Sequence, residues 1–263
     1  SLFVIANCGG SSSQSELNIT QPSPQSDLDK HPLIWEVASL ESVGFDAGQF
    51  YAAIDYAFQD GFYTQSVVII KDGYLVYEGY RGITENEKSN LIQNTSKTAA
   101  EVNVLYGNRD FTSLSTSWST AKSFTSFLVG IAIDEGLINN IDQKAADFIS
   151  EWSNDDRNKI SIKNLLDMRS NLTQMCFGIS LAPCSDNDEN GGNLVFSNDQ
   201  MTACINRNLV NPDMENFLEG NFNYSNCDTM VLGEILFRAS GMDLQTYAEN
   251  KLFSRIHIDA EWW

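Results

Sequence analysis

The chain has 263 residues, 42% of them hydrophobic, enough for one large domain or two interleaved ones with an ample core. Its 35 acidic against 16 basic residues give a formal net charge of -19, which repels nucleic acid and anionic lipid headgroups and argues against a polynucleotide partner. No stretch in the body of the chain is apolar over the length of a membrane span, and with only His31 and His257 and no close-spaced Cys/His cluster neither a zinc site nor any other metal or cofactor is expected.

The run Leu2-Phe3-Val4-Ile5-Ala6-Asn7-Cys8-Gly9-Gly10 passes from apolar to small residues, then to a cysteine and a polar tether. It is similar to the end of a bacterial lipoprotein signal, in which Cys8 becomes the lipidated first residue of the mature protein. Residues 1–8 are therefore expected to be a signal remnant, and the protein to be exported to the periplasm or cell envelope with membrane attachment through Cys8. Residues 9–33 are rich in Ser, Gln, Asn, Asp and Pro without an apolar period, the composition of a disordered spacer. The folded domain is expected over 34–263.

Asp46 can cap a helix whose Phe50, Ile54, Ala57 and Phe58 face one way, with Gly61 as its stop. The clearest hairpin follows: Ser66 to Ile70 and Tyr74 to Tyr77 flank Lys71-Asp72-Gly73, and Asp-Gly is the signal of a type I′ turn because both central residues need positive φ. Residues 82–108 lack a period and read as a long surface excursion, and Thr112 to Thr116 as a short strand. Strands ahead of a helix imply a mixed fold and not a simple bundle.

Ser117-Trp118-Ser119-Thr120-Ala121-Lys122-Ser123-Phe124 then runs into an apolar helical pattern, with Phe124, Phe127, Leu128 and Ile131 on one side, Val129 and Ile133 on the other, and Gly136 as the stop. Ser119 and Lys122 are three apart, so on one turn of helix they share a face and can touch. A serine hydroxyl needs a neighbour to take its proton, and a lysine can do so if burial strips its charge; the aromatic and aliphatic residues after the pair are expected to supply that burial. The helix start also offers N–H groups to a developing oxyanion.

Beyond Gly136, Asp142 to Ile149 is turn-rich, Ser161 can cap Ile162 to Met168, Asn198 a piece carrying Met201, Cys204 and Ile205, and Asp228 to Ser240 is a helix stopped by Gly241, with another starting at Asp243. Residues from about 137 to 253 thus form a helical subdomain. Asp186, Asp188 and Glu189 fit no EF-hand spacing and read as a solvated loop. Cys176, Cys184, Cys204 and Cys227 permit three pairings, of which Cys176 with Cys184 would close a short loop. Before the last long helix, Tyr224-Ser225-Asn226 places a phenol that can relay a proton and an amide that can contact a substrate.

Together these segments resemble the serine β-lactamase and penicillin-binding superfamily, in its class C β-lactamase and D-alanyl-D-alanine carboxypeptidase branch. The carriers are the hairpin through Gly73, Ser119-Thr120-Ala121-Lys122, Glu135-Gly136-Leu137-Ile138, Ile162 to Met168, Tyr224-Ser225-Asn226 and Leu232-Gly233-Glu234. Ile256 to Trp263 looks like the 6-aminohexanoate-dimer hydrolase and esterase members. The resemblance implies an α+β fold, an antiparallel sheet flanked by helices with an all-helical subdomain. It implies acylation of Ser119, Lys122 as base, Tyr224 as proton relay, Asn226 at the substrate and the Ser119 N–H in the oxyanion hole, with a small-molecule amide or ester as substrate. Two departures accompany it: Asn171 follows Ser170 where relatives commonly carry glycine, and the family's third motif and closing strands are expected beyond Trp263. The alternatives are a penicillin-type binding or sensing module acylated without turnover, and an inactive relative. A Ser-His-Asp hydrolase built on Gly178-Ile179-Ser180-Leu181-Ala182 lacks the strand its nucleophile turn requires, and only His257 follows it. Oligomeric state is not legible.

Overall fold

The computed structural model describes residues 2–4, 35–115, 117–174, 194, 197–210, 222–258 and 260. Cys8, the spacer, Cys176, Cys184, the Gly178 to Ala182 stretch and the acidic residues at 186, 188 and 189 lie outside the described residues. The chain divides into two compact units, Ser1–Ser115 and Thr116–Trp263. The fold is α+β, as expected.

The first unit is built on an antiparallel sheet of β1 (Leu2–Val4), β2 (Ser66–Lys71) and β3 (Tyr74–Tyr80), in that order. Asp72 and Gly73 have φ of 54° and 88°, the two positive values a type I′ turn demands. Leu2–Val4, expected within a signal remnant, pairs with Ile69 to Lys71 of β2. Helix α1 (Ala47–Ala57) begins at Asp46, whose carboxylate accepts the Gln49 N–H at 2.8 Å. Its Phe50 and Ile54, with Phe58, pack in one cluster with Val67 and Ile69, the inward residues of β2. Burial of each such side chain contributes about 1.5–3 kcal/mol.

The excursion expected over 82–108 is instead two helices, α2 (Glu85–Asn94) and α3 (Ala99–Tyr106). Each opens with a reciprocal capping box, Thr84 with Glu87 and Thr98 with Glu101, which satisfies the first free N–H groups without an apolar stripe. The strand expected at Thr112 does not form among the described residues. The Asp110 carboxylate accepts the Thr112 N–H, the Thr112 hydroxyl and the Ser113 hydroxyl at 2.7–3.0 Å, a local turn that competes with an extended ladder.

Glu87 has a second task. It is fully buried and accepts hydrogen bonds from Arg81, from its own cap at Thr84 N and from Gly61 N and Tyr63 N. Burial alone pushes its pKa up, but Arg81 and the N–H groups of Thr84 and Tyr63 outweigh it and hold the carboxyl below its ordinary value.

The second unit is helical. A single 3-10 turn (Trp118–Thr120) leads into α4 (Ala121–Asp134), followed by short 3-10 turns, α5 (Ile162–Leu166), α6 (Gln200–Ile205), α7 (Asn226–Ser240), α8 (Leu244–Ala248), a π-helical turn (Glu249–Phe253) and α9 (Ser254–Ile256). Gly136 and Gly241 end α4 and α7 with φ of 72° and 71°, where a Cβ would be strained. Helix α7 packs against α4, α5 and α6. Its Val231, Leu232, Ile235 and Leu236 share a core with Leu128 and Val129 of α4 and with Trp152, Ile162, Leu165, Tyr247 and Phe253.

Three expectations change in detail. Phe127, assigned to an apolar face of α4, is 61% exposed, so α4 is amphipathic among the described residues and not buried all round. Asp199, one residue after Asn198, caps α6 by accepting the Thr202 N–H at 2.9 Å. Helix α7 starts at Asn226, two residues earlier than expected, because the Ser225 hydroxyl caps it. Cys204 is disulfide-bonded to Cys227, tying α6 to the start of α7.

Glu87→Ala is expected to lower the unfolding free energy by about 3–5 kcal/mol, since it leaves a mostly buried guanidinium and several N–H groups without their acceptor. The sign with pH follows from the depressed carboxyl: the stabilisation is complete above the ordinary value of 4.5 and is lost as pH falls through the lower folded value. Denaturant unfolding of wild type and variant between pH 7 and pH 3 measures both, and the two curves should converge in acid.

Candidate active site

Ser119 sits on the 3-10 turn just ahead of α4, Lys122 on the first turn of α4, and Tyr224 in the extended segment that leads into α7. Sequence separates Tyr224 from Ser119 by 105 positions, yet the Tyr224 hydroxyl donates to Ser119 Oγ at 2.6 Å. Lys122 Nζ donates to the same oxygen at 3.3 Å and lies 5.2 Å from the centre of the Tyr224 ring. The sequence pairs the first two residues because they are neighbours on one turn and expects the third through family resemblance; the structure brings the three together. Asn226 is the first residue of α7 and half-buried.

An oxygen that receives two donors is placed to carry negative charge. Burial pushes the Tyr224 phenol up, but the hydrogen bonds with Ser119 and Lys122 and the positive charge of Lys122 outweigh this and lower it below its ordinary 10.0. The dry surroundings expected for Lys122 are not provided by the described residues: Ser119 is exposed, Lys122 half-buried and Tyr224 45% exposed.

The backbone at the serine is unusual. Trp118, directly before it, has φ of 47° and is 59% exposed. A bulky residue in the left-handed region costs on the order of 1–3 kcal/mol and persists only where its surroundings enforce it, a pattern concentrated at active sites. No sequence signal announces this, since left-handed positions are ordinarily marked by Gly or Asn.

The segment carrying Tyr224 rests on residues 168–174. Asn223 N donates to Met168 O at 3.0 Å, and Gln174 Nε2 donates to Asn223 Oδ1 at 2.7 Å and to the Tyr224 carbonyl. That bed is itself pinned: Leu172 bridges Leu209, Thr173 N donates to Asn208 O, Val210 N donates to Asn171 O, and the Arg207 guanidinium donates to the Thr173 and Gln174 carbonyls. Asn171 takes φ of 60°, so it occupies the left-handed region a glycine would favour, which asparagine tolerates better than most residues. Gln174 and Arg207 were not evident from sequence, because their contacts run to main-chain oxygens far along the chain.

Among the described residues no group of three or more His, Cys, Asp or Glu could hold a metal ion. Among the same residues no helix is long and apolar enough to cross a membrane.

Comparison with known proteins comes to one family. No curated protein matches. Among solved structures, a protein from Bacillus anthracis named "Putative 6-aminohexanoate-dimer hydrolase" is similar at 18% identity with a TM-score of 0.42, over 68% of this chain and 41% of that one. The chain thus spans less than half of that neighbour's length. The family model described as Beta-lactamase matches residues 53–260, which include Ser119, Lys122, Tyr224 and Asn226, and the chain belongs to the beta-lactamase family.

Proposed function

We propose that this protein is a serine hydrolase that forms an acyl-enzyme on Ser119 and cleaves an amide or ester. The observation that carries the reading is the convergence of the Tyr224 hydroxyl and Lys122 Nζ on Ser119 Oγ at 2.6 and 3.3 Å. Ser119 Oγ attacks the substrate carbonyl and its proton passes to the Lys122–Tyr224 pair. Collapse of the tetrahedral adduct breaks the bond to the leaving amine or alcohol, which takes that proton. Water then repeats the sequence and releases the acid. Asn226 contacts the substrate, and the Ser119 N–H, near the start of α4, contributes to oxyanion binding. Lys122 is the base in this reading and Tyr224 the relay. The shorter contact and lowered phenol of Tyr224 favour a second division of labour, in which Tyr224 accepts the proton and the Lys122 charge stabilises the phenolate. The alternative function, acylation without turnover, uses the same first half of the cycle.

The substrate of the whole protein belongs to the same proposal. A small amide or ester suits an exposed serine, and a nucleic acid is disfavoured by the net charge of -19. We also read the protein as exported and lipid-anchored through Cys8. The Cys204–Cys227 disulfide supports an oxidising compartment, and the pairing of Leu2–Val4 with β2 is the observation against a discarded leader.

Hydrolysis of a p-nitrophenyl ester series by the protein tests the mechanism. Ser119→Ala is expected to abolish turnover, and Lys122→Ala and Tyr224→Phe each to lower kcat by about 10²–10⁴-fold; wild-type rates in Ser119→Ala refute the assignment. A stoichiometric burst with no turnover selects the binding module. If a deprotonated Tyr224 is the acceptor, the acylation rate should rise with pH and level off below 10.0, because the phenol is lowered from that value. A rise that continues past that point assigns the acceptor role elsewhere. Intact-mass analysis of membrane-extracted protein should show a diacyl adduct on Cys8, and an unmodified Cys8 in soluble protein overturns the anchor.

A further inference from the structure

The turn that carries Tyr224 is fixed by a carboxylate that the reaction itself does not use. Asp228, on the first turn of α7, is 1% exposed. Its Oδ1 accepts the Ser225 hydroxyl and the Ser170 hydroxyl, each at 2.8 Å, and both serines are themselves buried. The Ser225 hydroxyl also accepts the Asp228 N–H at 3.1 Å, and the Ser170 hydroxyl accepts the Leu172 N–H at 3.2 Å. Oδ2 is buried with no hydrogen-bond partner among the described residues.

This exceeds what a helix cap requires. In a capping box the acidic residue at the third position reaches back to the main-chain N–H of the cap residue. Asp228 instead takes the cap's hydroxyl and a second hydroxyl from a segment 58 residues earlier. Ser225 is the residue between Tyr224 and Asn226, and Ser170 lies in the bed on which the Tyr224 segment rests, so one oxygen joins that segment to its support. A carboxylate in this setting is also costly: with no cation in contact among the described residues, burial pushes Asp228 up to about 6 despite the hydrogen bonds of Ser170 and Ser225. A group that is expensive to bury and is not needed for the cap calls for another role.

We propose that the Ser170–Asp228–Ser225 cluster is the positioning device for Tyr224, holding the phenol within hydrogen-bond reach of Ser119 and Lys122. The proposal deepens the reading of Tyr224 as the proton-transfer group and rests on it. The side-chain hydrogen bonds of Asp228 go to Ser170 and Ser225, and none among the described residues goes to Ser119, Lys122 or the Tyr224 hydroxyl. Loss of the tether is therefore expected to show as a displaced phenol before it shows as an unfolded chain.

The test reads Tyr224 directly. Tyrosinate absorbance is titrated in the full chain and in the same chain carrying Tyr224→Phe, and the difference gives the Tyr224 pKa with no requirement for activity. In the wild type it should lie below 10.0. Ser170→Ala, which removes one hydroxyl and is the mildest change, and Asp228→Ala should return it towards 10.0. Asp228→Asn, whose amide oxygen can accept the same two hydroxyls, should keep it low. Where ester turnover is measurable, Ser170→Ala should lower kcat by about tenfold or more with KM little changed, and Asp228→Asn should restore it. A wild-type Tyr224 with an ordinary pKa overturns the reading of Tyr224 as proton acceptor and the positioning role that rests on it, and leaves the acyl-serine reading to its own test. A lowered wild-type value that Ser170→Ala leaves unmoved, in protein with native circular dichroism, overturns the positioning role alone, as does an Asp228→Asn variant that behaves like Asp228→Ala.

Discussion

A hydroxyl becomes a nucleophile only where a proton acceptor is held within hydrogen-bond reach of it, and in this chain that distance is set by the packing of α7 on α4. Ser119 and Lys122 are placed by one turn of backbone and need little else. Tyr224 comes from a segment more than a hundred residues away, and its 2.6 Å contact with Ser119 exists only because Val231, Ile235 and Leu236 bury the side of α7 in the same core as Leu128 and Val129. The geometry of the candidate site is therefore tied to the helical core, and a shift of α7 by an ångström is enough to break the Tyr224–Ser119 contact.

Two buried carboxylates illustrate how differently a charge can be housed. Glu87 is surrounded by a guanidinium and several N–H groups, and its proton is released more readily than in water. Among the described residues Asp228 has hydroxyls for company and no cation, and burial pushes its pKa up to about 6. The first arrangement joins a helix cap to neighbouring loops and stabilises them. The second costs stability in the neutral range and is best understood through what it holds in place. Trp118 is a second costly feature near the site, a left-handed backbone angle directly before the serine.

Much of this was readable from the residues wherever the physics is local. Asp46, Asp72-Gly73, Ser161, Gly136 and Gly241 each mark a boundary because the backbone there needs a particular donor, acceptor or φ, and each stands where expected. Helices α2 and α3 lack apolar periodicity because α2 is mostly polar and the apolar residues of α3 do not share one face, Val102 being buried while Val104 and Leu105 are exposed, although Thr84-x-x-Glu87 and Thr98-x-x-Glu101 were legible as start signals. Phe127 shows the converse error, since helical spacing does not say which side meets a partner. At the site, the serine and lysine were visible as a pair and the tyrosine through family resemblance. The Ser170–Asp228 contact and the clamp of Arg207 were not, because nothing in one sequence links residues across such separations.

Membership of the beta-lactamase family fixes the fold, while the activity and the roles of individual groups are proposals that rest on geometry. The measurement that bears most directly on them is the mass of the protein in the first seconds after mixing with an activated ester, followed by mapping of the modified peptide. The account predicts a transient acyl group on the peptide containing Ser119, absent in Ser119→Ala. An acyl group on any other residue, or ester cleavage that proceeds at the same rate when Ser119 is gone, contradicts it.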